Sequence, residues 1–337
     1  MNQALIFGPR GLAWAEIPAP TLSDPQEALV RPIAVSVCDI DRRMLSGEVP
    51  VSTPIVLGHE AVAEVLEAGE ESGVRRGDLV SVSWMIACGR CDRCEADLRA
   101  GCRVAPGGAV FGMPEQPWGG LFADVVKIPF ARAMLTLLPA SLPAASFVGL
   151  SCNLPVVCQA ISPHSVGDEQ SRVLVVGGRG ALGLYAVAMA FALGARHVDY
   201  VDDRAKNAQI ASLLGATPLS APAARGDHSL AIVASVEPSL LIAALRSLRP
   251  EGVCEVVGPC PSAAELPLAE MYTRGVTLRL SRAATQESTL RALELAAIGR
   301  LQLDPIQGEP LPWERLASLL VEPGIKPVFV RARTTHA

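Results

Sequence analysis

Residues 173–193 constrain the fold more than any other stretch of the chain. Val173-Leu174-Val175-Val176 is an apolar, β-branched run of strand length, and Ala181 to Leu193 is apolar at helix length. Between them stands Gly177-Gly178-Arg179-Gly180. A buried strand that turns on glycines straight into a buried helix belongs in a parallel sheet covered on both faces. The same grammar continues downstream. Strand Val198–Val201, a helix through Leu214 stopped by Gly215, strand Leu230–Val233, helix Leu240–Leu248 ended by Pro250 and Gly252, and strand Val253–Val257 succeed one another. Strands alternating with helices of about ten residues predict a doubly wound α/β sheet. The apolar run itself is no membrane span, because its glycines leave a helix of about 13 residues where about 20 are needed.

Within this unit Gly178-Arg179-Gly180-Ala181-Leu182-Gly183 spells G-x-G-x-x-G between strand and helix. Gly178 permits the tight turn and Gly180 lets the backbone approach a pyrophosphate. Leu182 lies in the first turn of the helix whose N-terminus would receive it, and Gly183 lets that helix pack on the strand. Asp202 ends the next strand. There a carboxylate accepts hydrogen bonds from ribose hydroxyls and repels a 2′-phosphate, which predicts NAD over NADP. Asp203 strengthens the negative field, whereas Arg204 could recruit phosphate, and Asp202 could also serve as a helix N-cap. The Ala/Pro-rich stretch Ser220–Ala224 reads as a loop.

The first half is different. Ile33–Val37, Ala61–Leu66 and Asp78–Val82 are short β-type runs separated by turn residues, as in a compact β-rich domain. A chain of 337 residues suits two domains. Its net charge of -5, with no basic block, argues against nucleic-acid or membrane-surface partners. The N-terminus does not read as a signal peptide, and a cytoplasmic protein is expected.

Nine cysteines, an odd number, favour thiolate chemistry or metal binding over disulfides in such a chain. Four of them, Cys88, Cys91, Cys94 and Cys102, spell C-x2-C-x2-C-x7-C. Four thiolates at this spacing can enclose one tetrahedral Zn²⁺ and leave no open position, which makes the site structural. An iron–sulfur cluster uses the same ligand type, a disulfide pair is disfavoured by compartment, and four unrelated buried thiols are improbable at this density.

The order Cys38 … Gly58-His59-Glu60 … Cys88-x2-Cys91-x2-Cys94-x7-Cys102 … Cys152 … G-x-G-x-x-G resembles the zinc-containing medium-chain alcohol dehydrogenases. The resemblance runs nearly end to end. It includes Gly77-Asp78-Leu79-Val80, Gly119-Gly120-Leu121-Phe122-Ala123-Asp124 in place of the usual G-G-x-A-E, and Gly324-Ile325-Lys326-Pro327-Val328. It implies an α/β protein with a GroES-like β-rich catalytic domain (1–153 and 284–337) interrupted by a Rossmann domain (154–283), with the nicotinamide in the cleft between them. It also implies two zinc ions per subunit. Cys38, His59 and Cys152 would hold the catalytic one, with Glu60 as a nearby or alternating fourth ligand and Asp41 fixing the His59 ring. The implied activity is hydride transfer between NAD(H) and a small alcohol or carbonyl substrate, in a homo-dimer or homo-tetramer.

Three positions depart from the family pattern. Ile40 stands where a Ser or Thr hydroxyl usually passes the substrate proton, Ala63 stands where glycine is usual, and Cys152 stands where polyol-type members carry Glu. Ile40 opens an alternative, a zinc-retaining reductase of iminium or conjugated C=C bonds. A zinc- and dinucleotide-binding protein without turnover is the other alternative, and the intact set Cys38, His59 and Cys152 argues against it.

Overall fold

The computed structural model describes residues 1–105, 108–113, 118–139, 143–221, 226–258, 260, 263–281, 285–320 and 325–332. Gly324 of the family-like ending and residues 222–224 of the expected loop lie outside this set. The chain forms two compact units. Met1–Cys152, Ala283–Leu290 and Gln307–Ala337 make the first; Asn153–Arg282 and Arg291–Ile306 make the second. Residues 291–306, assigned from sequence to the catalytic domain, thus cluster with the second unit.

Eight strands come first: β1 (Asn2–Gly8), β2 (Gly11–Ile17), β3 (Ala28–Ser36), β4 (Ile55–Val56), β5 (Ala61–Ala68), β6 (Leu79–Val82), β7 (Val126–Ile128) and β8 (Leu135–Leu137). Six more belong to the second unit: β9 (Val173–Val176), β10 (Val198–Val201), β11 (Thr217–Leu219), β12 (His228–Val233), β13 (Leu248–Val257) and β14 (Thr277–Ser281). The last two, β15 (Leu311–Pro312) and β16 (Val328–Val330), return to the first.

In the first unit the main sheet runs β15-β16-β3-β5-β6-β8, with β7 also pairing β3. Its central strands bury both faces. Val30, Val35, Val65 and Val80 pack with Phe111, Phe122 and Phe329 in one core. Val35 faces Ala61 across β3 and β5, and Val328 faces Ser36 across β16 and β3. These two registers set the residues just before β5 and just before β16 near one end of β3. This is the GroES-like β-rich half.

The second unit is a wholly parallel sheet ordered β11-β10-β9-β12-β13-β14. Counted within the unit this is 3-2-1-4-5-6, the Rossmann order, whose ligand crevice lies at the carboxyl ends where the order reverses. The registers put Val176 level with both Val201 and Val233, so the loops that begin at Gly177, Asp202 and Ala234 emerge side by side. Helix Leu182–Ala192 is buried almost all round, as a helix beneath such a sheet must be. Several boundaries differ from expectation by one or two residues, and two differ for local reasons. The helix expected at Leu240 begins at Pro238, whose fixed φ suits the first helical turn. β13 begins at Leu248, but its ladder with β12 breaks between Leu248 and Val253, around Glu251 at φ 61°, where Pro-Glu-Gly reads as a stop. Among the described residues no single helix is long and apolar enough to cross a membrane.

Candidate metal and dinucleotide sites

The first site gathers at the end of β3. Cys38 comes just after that strand and caps the helix α1 (Asp39–Leu45). Its backbone N–H donates to Asp41 Oδ2 at 2.8 Å, while Asp41 Oδ1 faces His59 Nδ1 at 3.4 Å. Asp41 is wholly buried. His59 and Glu60 precede β5, on a backbone that only Gly58 could supply. Gly58 sits at φ +94°, and a Cβ there would lie 2.3 Å from the Phe122 ring. The His59 Nε2 edge looks at Glu60 Oε1, 3.8 Å away. Cys38, His59 and Glu60 each present one ligand atom, all within 4.8 Å of one another. Cys152 lies outside that grouping yet its thiol hydrogen-bonds Cys38.

Two neighbours with no role assigned from the sequence at this site hold the arrangement. Ser151 Oγ accepts from Ala61 N–H at 3.0 Å and donates to Ala61 O at 2.8 Å. That double bond to β5 fixes Cys152 beside the site. Lys326, 3% exposed, puts Nζ 2.6 Å from both oxygens of the buried Glu60. A lone serine before a cysteine carries no pattern of its own, and the family-like ending gives Lys326 a place but no role; the pairing of β16 with β3 brings it to Glu60.

The electrostatics arise from this packing. The Cys152 thiol, Lys326 and His59 together hold Cys38 well below the ordinary thiol range despite its burial. Burial works against a charged His59, but Asp41 and Cys38 outweigh it and raise its pKa well above the usual imidazole value. Burial also raises Glu60, to about 7, against the pull of Lys326. Thiol, imidazole and carboxylate donors converging in a buried place, with an outer carboxylate on the imidazole, fit a zinc-type cation.

The second site is the cysteine lobe. Cys88, Cys91, Cys94 and Cys102 bring their sulfurs within 4.8 Å of one another as four separate thiols. Backbone N–H groups of Cys88 and Ala105 both donate to Cys102 Sγ at 3.4 Å. Backbone donors at Arg103 and Cys94 lower Cys91 to about 6, whereas burial pushes Cys94 up to about 12. Arg99 ties the lobe down through Ala133 O at 2.9 Å and Gln286 Oε1 at 2.9 Å. Four converging sulfurs supplied with N–H donors suit a closed tetrahedral metal.

The third site is at the switch point of the parallel sheet. A Cβ on Gly178 would stand 2.1 Å from Ala234 O, so the turn after β9 has to be glycine to pass the end of β12. Gly180 lies in the turn that leads to Leu182, the first residue of the helix. Gly183 packs that helix against Gly177, where a Cβ would come within 2.8 Å. Asp202 differs from its expected state. Its side chain is 1% exposed and already engaged: Tyr200 OH (2.8 Å) and Asn207 Nδ2 (2.8 Å) donate to Oδ2, and Arg204 donates from its backbone N–H (3.0 Å) and Nε (3.1 Å) to Oδ1. The helix N-cap is Arg204, not Asp202. Asp203 is 95% exposed.

Residues 24–140 match the alcohol dehydrogenase GroES-like domain. A Mycobacterium tuberculosis protein named "Probable zinc-binding alcohol dehydrogenase" is 32% identical, over 94% of this chain and 84% of its own. An alcohol dehydrogenase of Rhizobium meliloti is 30% identical, over 88% of this chain and 87% of its own. Among solved structures, the alcohol dehydrogenase TADH from Thermus sp. ATN1 superposes with a TM-score of 0.90 at 27% identity, covering 98% of this chain and 100% of that one. Motif order, fold and these similarities agree, and the chain belongs to the zinc-containing medium-chain dehydrogenase family of oxidoreductases.

Proposed function

We propose that the chain exchanges a hydride between a nicotinamide dinucleotide and an alcohol/carbonyl pair, using one zinc held by Cys38, His59 and Cys152 and a second, structural zinc in the cysteine lobe. The observation that carries this reading is the convergence of half-buried Cys38 with buried His59 and Glu60 within 4.8 Å, backed by Asp41. Zinc bound there supplies Lewis acidity toward the substrate oxygen. The chain's own residues do the rest. Asp41 orients the His59 ring, Ser151 delivers Cys152, and Lys326 balances the charge of Glu60. A panel of alcohols, aldehydes and ketones followed by nicotinamide absorbance tests the reading. Turnover of none of them with either dinucleotide, by protein shown to carry zinc, would refute it.

Ile40 favours a second reading. It sits half-buried in the first turn of α1, two residues from Cys38, and offers no hydroxyl to carry a proton. Because general acid–base assistance is worth about 10²–10⁴-fold, slow oxidation of simple alcohols is expected, with Ile40→Thr raising it. A reductase of iminium or conjugated C=C bonds would respond little to the same change. Brisk wild-type turnover of simple alcohols, unchanged in Ile40→Thr, would show that the missing hydroxyl is no handicap.

We retain NAD as the preferred dinucleotide, on the carboxylate at Asp202. Ribose hydroxyls reach it only if Arg204 gives way, since a carboxylate offers about four acceptor sites and those of Asp202 are in use. Arg204→Ala is therefore expected to tighten NADH and weaken NADPH, widening the gap several-fold in fluorescence titrations. A wild type that prefers NADPH would overturn the assignment.

A further inference from the structure

The carboxylate of Asp202 is drawn inward by two side chains that lie outside the dinucleotide motif. Tyr200, wholly buried on β10, donates its hydroxyl to Asp202 Oδ2 at 2.8 Å. Asn207, buried in the helix Ala205–Leu213, donates Nδ2 to the same oxygen at 2.8 Å. The turn after β9 makes room for this cluster. A Cβ on Gly177 would stand 2.3 Å from Asp202 Oδ2 and 2.4 Å from Tyr200 OH, so any larger residue there would push the pair aside. Burial works against the charge of Asp202, but Asn207, the Arg204 backbone, Tyr200 and the Arg204 charge outweigh it and hold its pKa below the usual carboxylate value.

Counting acceptor positions shows what this leaves for a ligand. Each carboxylate oxygen offers about two. On Oδ2 the buried donors Tyr200 and Asn207 fill both, with Arg204 Nη2 as a longer third contact at 3.3 Å. Oδ1 takes the Arg204 backbone N–H at 3.0 Å and Arg204 Nε at 3.1 Å. Of these partners only the Arg204 side chain, 34% exposed, reaches solvent and can be displaced. Its departure frees one position, on Oδ1. We infer that Tyr200 and Asn207 limit Asp202 to a single ribose hydroxyl, and so set how tightly the adenosine half of the dinucleotide is held. Both are positioning residues, which act through Asp202. The inference rests on the reading of Asp202 as the ribose carboxylate. Every residue it uses belongs to the second unit.

The test uses the full-length protein as wild type, Tyr200→Phe and Asn207→Ala. ADP, 2′-deoxy-ADP and 3′-deoxy-ADP are titrated into each by calorimetry. In wild type one deoxy analogue should bind as ADP does and the other about tenfold more weakly, the loss of one hydrogen bond to a charged group. Either variant releases a position on Oδ2. Both analogues should then bind more weakly than ADP, and ADP itself several-fold more tightly than to wild type. The two variants lie on different elements, so if melting curves show one of them unfolded, the other still decides. The inference is overturned if both analogues, or neither, bind more weakly than ADP in wild type. It is equally overturned if folded variants keep the wild-type pattern, which would make Tyr200 and Asn207 packing residues. A wild type that binds no ADP would refute the dinucleotide reading and this inference with it, whereas ADP binding with an unchanged pattern refutes the inference alone.

Discussion

Cys94→Ser is expected to yield little soluble protein, and what survives should melt well over 10 °C below wild type. Four sulfurs within 4.8 Å of one another cannot all ionise side by side unless a cation joins them. Burial pushes Cys94 up to about 12 while backbone donors draw Cys91 down to about 6, so the bare lobe is a set of competing thiols. A structural zinc ion contributes on the order of 10 kcal/mol of folding energy. That rivals the whole stability of a typical domain, about 5–15 kcal/mol. Among the described residues the lobe's polar supports are an exposed Arg103–Asp92 pair and the contacts of Arg99, while Cys88, Cys94 and Cys102 also pack into the core. Calorimetry together with elemental analysis checks the expectation. Wild-type protein carrying iron, or no metal, at these cysteines would remove its basis.

His59→Ala should leave the protein folded and able to bind NADH, yet lower turnover by at least about 10³-fold. Lewis acidity at the substrate oxygen is worth several kcal/mol, and each 1.36 kcal/mol is tenfold in rate. The dinucleotide motif sits on other elements, around Gly178 and Asp202, so NADH binding provides the control. Asp41→Asn keeps the shape but weakens the grip on the ring, and a loss of about 10–100-fold is expected. Because both residues are buried, melting curves are needed to separate lost chemistry from lost fold. Turnover by His59→Ala at the wild-type rate would exclude His59 from the reaction.

The parallel sheet is legible in the sequence because its strands are buried on both faces and read as unbroken apolar runs. β9 and β10 fall where those runs place them, to the residue. The cysteine lobe is legible for a different reason, since its four sulfurs come from one short segment, 88–102. What stays hidden is long-range. Nothing local marks Ser151 as the clamp on Ala61 or Lys326 as the counter-ion of Glu60, because those contacts exist only once β16 and β5 flank β3. Asp202 shows the reverse limit. The motif gives its position, but its engagement by Tyr200, Arg204 and Asn207 depends on side-chain directions that spacing does not encode. The segment 291–306 likewise joins the unit it packs in, against the simple expectation of a chain that leaves one domain and returns for good.

The place of β16 has a consequence for biosynthesis. Val328–Val330 is no trailing edge: it lies between β15 and β3, and Lys326 just ahead of it carries the counter-charge for Glu60. A chain emerging from the ribosome exposes Cys38 and His59 first, yet has to make the entire dinucleotide-type unit before the strand that completes their sheet is available. The unit that starts first finishes last. Until then its central strand presents unpaired backbone groups, the kind of edge that recruits other chains.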